Sequence, residues 1–251
     1  MSIRSANPAL NEKVFETDRS YAGEPMTLSG TVSKTGIMLF LLVAAAVFVW
    51  RKFFVAFEAK EAFNIMAYVY GGLIAGLVLA LVTIFKKEWA AVTAPLYAIA
   101  QGVAIGGLSA LFESMYPGIV IQAVALTFGT LFCMLMAYSS GLIKATENFK
   151  LGVVAATGAI LLIYIVSIVL RLFGINMPFI HDSGPIGIIF SLVVVTIAAL
   201  NLVLDFDFIE KGVEKGAPKH LEWYGAFGLM VTLIWLYIEI LHLLAKLQSR
   251  R

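Results

Sequence analysis

The sequence predicts an all-α, polytopic membrane protein, a bundle of seven transmembrane helices. Two observations carry that prediction. Of 251 residues, 61% are hydrophobic and 14% charged, against about 45–50% and about 25% in an ordinary soluble domain. The apolar residues also fall into long runs, near 35–55, 64–85, 90–112, 118–143, 151–174, 186–209 and 224–247. About 20 such residues cross the roughly 30 Å of hydrocarbon in a bilayer. Backbone polar groups meet no water there, so each run must satisfy them internally, as a helix. The chain divides accordingly into a polar N-terminal segment (1–34), a transmembrane domain (35–247) and a short tail (248–251).

The breaks between runs have clear chemistry. Arg51-Lys52 ends the first run, although Phe53-Phe54-Val55 resume beyond it. Lys86-Lys87-Glu88 separates the second from the third, and Tyr116-Pro117-Gly118 forms a tight turn. Lys144 to Lys150 ends the fourth run. His181-Asp182-Ser183-Gly184-Pro185 reads as a turn and then a helix start with proline in the first turn. Lys211 to His220 precedes the last run.

The first 34 residues mix Arg4, Lys13, Arg19 and Lys34 with Glu12, Glu16, Asp18 and Glu24, which is not the apolar core of a cleavable signal. The first span is therefore expected to serve as an uncleaved targeting signal. Lys86, Lys87, Lys144, Lys150, Lys211, Lys215 and Lys219 fall in loops on the side of the N-terminus, and Arg51, Lys52, Lys60 and Arg171 on the other. The positive-inside rule then places the N-terminus in the cytoplasm and the C-terminus outside, with the Lys246, Arg250, Arg251 tail pulling the other way.

Several classes are excluded. A net charge of +2 offers no nucleic-acid surface. The single cysteine, Cys133, permits neither a disulfide framework nor a cysteine metal site, and is expected to pack. No His-Glu-x-x-His, Gly-x-Ser-x-Gly or glycine-rich phosphate loop occurs, so no enzymatic activity and no catalytic residue are expected, and no resident cofactor. Ala98, Gly102, Gly106 and Ala110 recur every four residues in the third span, a small-residue face for close packing between helices. Packing within the chain suffices to occupy it, so a monomer is expected in the lipid bilayer.

Function is best sought where the bilayer penalises a residue. Arg171 lies within a turn of its helix end and can snorkel. Glu239 cannot: Leu236, Ile238, Ile240 and Leu241 surround it, and His242 follows nearly a turn later. Its candidate partner is another carboxyl group in the sixth span. Asp205 shares a helix face with Asn201, whereas Asp207 is roughly 200° round the helix, so one of the two can face a given neighbour. Two carboxyls at close range do not both ionise cheaply and tend to share a proton. Deprotonated, such a pair of Glu239 with Asp205 or Asp207 would form a hard oxygen site suited to Ca²⁺.

Leu236-Tyr237-Ile238-Glu239-Ile240-Leu241-His242-Leu243-Leu244 resembles the last-helix motif Leu-Tyr-Leu-Asp-Phe-Ile-Asn-Leu-Phe of the Bax inhibitor/YccA family. Asp205-Phe206-Asp207-Phe208-Ile209 resembles the sixth-helix pattern of that family. Asn7-Pro8-Ala9-Leu10 and Ala94-Pro95-Leu96-Tyr97-Ala98 look like a bacterial branch, which implies the inner (cytoplasmic) membrane. The resemblance spans about residues 30–247. It implies a pH-sensitive Ca²⁺ leak channel gated by an acidic pair, which falls here on Asp205 and Glu239. It also implies a basic residue at the end of the second helix that pairs with the sixth-helix acid, and Lys86 is the nearest match.

The sequence departs from that pattern in two places. Glutamate stands at 239 where aspartate is usual, and His242 where asparagine is. In addition, 34 positions separate Asp205 from Glu239, more than a short hairpin needs. An extra loop or surface helix over Pro218 to Tyr224, with the last span starting near Gly225, is expected to level the two carboxyls. In this reading a shared proton holds the sixth and seventh helices closed at low pH, and repulsion loosens them at higher pH. The alternative is an interaction protein that docks a membrane protease or another membrane complex through its N-terminal arm.

Overall fold

The computed structural model describes residues 24–174 and 184–250. Seven helices in it are long and apolar enough to cross a membrane: α1 Leu28–Ala59, α2 Ile65–Phe85, α3 Ala90–Met115, α4 Ile119–Ser139, α5 Glu147–Leu172, α6 Pro185–Glu214 and α7 Leu221–Gln248. A 3-10 turn, Lys87–Trp89, leads into α3. The N-terminal charges up to Glu16, Asp18 and Arg19, the Asn7-Pro8-Ala9-Leu10 stretch and His181-Asp182-Ser183 lie outside the described residues. Pro185 is the first residue of α6, as expected from the fixed φ of proline.

Local signals set the helix ends. The Thr27 side chain accepts from the Gly30 N–H at 3.0 Å to start α1, and Asn64 and Thr146 do the same for α2 and α5. Lys60 adopts a left-handed conformation, and the Glu61 N–H reaches the Ala56 carbonyl at 2.9 Å, closing α1. Arg51 and Lys52 do not end the first helix. Both are exposed on its surface, where long side chains reach water while the backbone ladder continues to Ala59.

Three further expectations are corrected. Lys150 is not a loop residue but lies in the first turn of α5, 3% exposed. Pro218 to Tyr224 is neither a surface helix nor an inserted loop, since α7 begins at Leu221 and both Glu222 and Tyr224 are buried. Cys133 does not pack inside but is exposed on α4.

The chain forms two compact units. One comprises Gly118–Phe208 and Val231–Arg251, with α4, α5, most of α6 and the second half of α7. The other takes, among the described residues, 24–117 together with Ile209–Met230. In this second unit α3 is the buried element and packs on both α1 and α2. Its small-residue face explains how. A methyl group on Gly102 would strike the Leu42 carbonyl, and one on Gly106 would lie 2.7 Å from the Ala46 Cα. The face is thus filled by α1 of the same chain. Large apolar side chains such as Phe40, Ile74, Ile121 and Leu162 are exposed on the outer helix surfaces, which suits hydrocarbon rather than water.

Candidate functional site

The first unit carries a ladder of polar groups in an otherwise apolar interior. At one end, Lys150 of α5 reaches Asp207 of α6 at 2.6 Å and Glu147 at 3.9 Å. Asp205, fully buried, stands two residues before Asp207 on the same helix. Next, the Asn201 amide donates to the Thr157 hydroxyl at 2.9 Å and to the Ile197 carbonyl at 2.8 Å. Farther along, Glu239 is 5% exposed, and one of its oxygens accepts from the Tyr164 hydroxyl at 2.8 Å and from the Trp235 indole at 3.2 Å. Last, the Lys246 ammonium donates to the Ser191 hydroxyl at 2.8 Å and to the Gly187 carbonyl at 3.1 Å.

The spacing is regular. Lys150, Thr157 and Tyr164 recur every seven residues on α5, and Glu239 and Lys246 do so on α7. Seven residues are two turns, about 10 Å of rise, so the polar groups return to nearly the same face. Each hydroxyl, amide or indole meets a partner, as buried polar groups must.

The same contacts fix the helix register. Lys150 opposite Asp207 and Thr157 opposite Asn201 make α5 and α6 antiparallel. Continuing seven residues, Tyr164 and therefore Glu239 lie level with α6 near Val194. Lys246 on Ser191 and Gly187 gives nearly the same level from α7. Asp205 is thus displaced from Glu239 by roughly 14 Å along the bundle. The expected shared-proton pair is not formed in this arrangement. The cause is the unequal arms: α6 continues from Asp205 to Glu214, whereas α7 must run from Leu221 to Glu239, twice as far.

Other predicted residues are distributed as follows. Asn201 belongs to the ladder, and Asp207 is committed to Lys150. His242 is exposed, outside the ladder. Lys86 caps α2 in the other unit and is exposed. The basic partner that a sixth-helix acid does have is Lys150. Among the described residues no three His, Cys, Asp or Glu side chains converge as a metal cage would require, and Ca²⁺ takes six to eight oxygens. Sequence reading missed Lys150, Thr157, Tyr164, Trp235, Ser191 and Lys246. The seven-residue recurrence of polar types in α5 was the available signal.

The second unit has its own buried charge. Glu222, fully buried in the first turn of α7, accepts from the Thr27 backbone N–H and hydroxyl, each at 2.9 Å, and pairs with Lys34 of α1. Lys34 also lies 5.7 Å from the Trp223 ring. Nearby, the Met26 N–H bonds to the Ala217 carbonyl at 2.6 Å, the Lys219 N–H bonds to the Glu24 carbonyl at 3.1 Å, and the Lys219 and Glu24 side chains pair. Together these bonds clasp the entry to α1 onto the α6–α7 turn.

Seven apolar helices and a partnered set of buried charges define an integral membrane protein of the α-helical class. Residues 7–249 match the family described as Bax inhibitor 1 like, and the chain belongs to that family. No curated protein matches the chain, and neither does any solved structure.

Proposed function

We propose that this protein is a pH-sensitive cation leak pathway of the inner (cytoplasmic) membrane of a bacterium, with Ca²⁺ as the conducted ion and no enzymatic activity. Its N-terminus faces the cytoplasm. The observation that carries the proposal is the polar ladder through the first unit, since soluble-type polar groups at about 10 Å intervals have no packing advantage over leucine inside a membrane. Family membership supports the same reading.

In this reading Asp205 and Glu239 are two separate acid stations on one path rather than a single latch. Lys150 and Lys246 are tethered cations at the two ends of the ladder, and they oppose entry of a mobile cation. Proton occupancy of the acids changes the balance of charge that holds those ammonium groups in place. Deprotonated stations attract the cation and favour passage, and protonated ones favour the closed arrangement.

The test is Ca²⁺ flux in proteoliposomes across pH. Asp205→Asn and Glu239→Gln should each flatten part of the pH dependence, and the double variant should abolish it. A double variant that keeps the wild-type profile, or wild-type flux no greater than that of protein-free vesicles, overturns the proposal.

A further inference from the structure

A groove of about 670 Å³ runs along one face of α1 in the second unit. Ala44, Val47 and Phe48 line its inner part, Arg51 and Lys52 stand along it, and Glu61 borders it where α1 ends. Steps of three and four residues put these α1 positions on a single stripe. From Ala44 to Ala56 that stripe is roughly 18 Å long, about the reach of an extended acyl chain.

The charges on the groove are not consumed by the fold. Among the described residues neither Arg51 nor Lys52 forms an ion pair with a carboxylate. The Lys52 ammonium lies 4.8 Å from the Phe48 ring, directed back along the apolar part of the stripe. Trp50, Phe53, Phe54 and Phe63 surround this end in ring-to-ring contacts of 5.0 to 6.3 Å. An aromatic belt with basic residues marks the headgroup level of a spanning helix. The medium beside the groove is therefore lipid.

We propose that this groove is a binding site for a glycerophospholipid with a phosphoethanolamine headgroup. The phosphodiester sits on Arg51 and Lys52, whose guanidinium and ammonium donate to its oxygens. The primary ammonium of the headgroup reaches Glu61 and the carbonyl end of α1, which carries partial negative charge. One acyl chain follows Val47, Phe48 and Ala44 toward the bilayer centre. Two cations and one carboxylate complement a zwitterion, whereas Glu61 disfavours a purely anionic headgroup.

Tryptophan quenching tests this directly, because Trp50 adjoins the groove. The full chain is reconstituted in phosphatidylcholine vesicles containing a minor fraction of brominated phosphatidylethanolamine, phosphatidylglycerol or phosphatidylcholine. The Trp50 contribution is the difference from Trp50→Phe. Brominated phosphatidylethanolamine should quench Trp50 with about fivefold higher apparent affinity than the phosphatidylcholine probe. Arg51→Gln with Lys52→Gln should weaken quenching by brominated phosphatidylethanolamine and phosphatidylcholine alike, and Glu61→Gln should erase the preference over phosphatidylcholine and phosphatidylglycerol. Arg51, Lys52 and Glu61 are exposed, and Trp50→Phe keeps an aromatic ring at a half-buried position, so folding is retained. Equal quenching by the three lipids, stronger quenching by phosphatidylglycerol, quenching unchanged by loss of both basic residues, or a preference that survives Glu61→Gln overturns the proposal.

Discussion

Replacing Lys34 by methionine isolates the energy of the buried pair at the start of α7. The Glu222 carboxylate has no contact with solvent and depends on the Lys34 ammonium and two Thr27 donors. Removing one partner of a buried pair costs about 3–5 kcal/mol, because the remaining charge stays desolvated. The Lys34 side chain is 17% exposed, so water relieves part of that cost, and about 2–4 kcal/mol is expected for Lys34→Met. At about 2–4 °C per kcal/mol for a chain of this size, the melting midpoint in detergent should fall by roughly 4–16 °C. Glu222→Gln keeps the side-chain shape and should cost about 2 kcal/mol. The double variant removes both charges together and should be no worse than Lys34→Met alone, a coupling of about 2 kcal/mol. Thermal unfolding followed by tryptophan fluorescence reads all four proteins. A shift below about 2 °C for Lys34→Met, or additive losses in the double variant, refutes the reasoning.

Three other outcomes follow from the same contacts. Tyr164→Phe should lower stability by about 1–2 kcal/mol through loss of a donor to a buried carboxyl, and by much less in a Glu239→Gln background; unfolding midpoints of the four proteins check this. Gly106→Ala forces a methyl group against the α1 backbone and should cost about 1–3 kcal/mol, whereas Gly36→Ala, where nothing stands within 4 Å, should be neutral or better. The exposed Glu24–Lys219 pair should matter only in a pH window. The hydrogen bond and charge of Lys219 hold the Glu24 carboxyl below its ordinary value of 4.5, and Glu24 raises the Lys219 ammonium above 10.5. The contribution of the depressed carboxyl is present above about 4.5 and lost as pH falls through its folded value; that of the raised ammonium is present below about 10.5 and lost as pH rises through its folded value. The melting difference between wild type and Glu24→Gln should therefore exist at neutral pH and shrink as pH falls through the depressed folded value of Glu24.

The spans were legible in the sequence because hydrocarbon imposes length and composition together. Helix ends were less so. Arg51 reads as a stop on a hydropathy scale, yet a snorkelling side chain does not interrupt backbone hydrogen bonds. Lys150 and Glu222 also read as loop charges, although both are buried. Their burial depends on partners far away in sequence, at Asp207 and Lys34, which no local pattern reports. Glu239 stood out because the bilayer penalises it, and Asp205 and Asn201 because they share a helix face. What the sequence could not supply was the register between α6 and α7. Levelling Asp205 with Glu239 requires knowing where α7 begins, and the Leu221 start left the carboxyls on different levels.

The seven-residue recurrence on α5 also makes the ladder a matter of rotational phase. Each added residue turns everything beyond it by about 100°. A one-residue insertion between Thr157 and Tyr164 would leave the span just as hydrophobic and just as able to insert. It would nevertheless swing the Tyr164 hydroxyl away from Glu239, while Lys150 and Thr157 kept their partners. Inserting a full seven residues would restore the phase to within about 20°. Length changes in this helix are thus felt through angle before they are felt through thickness, and tolerance to them should rise and fall with the helical repeat.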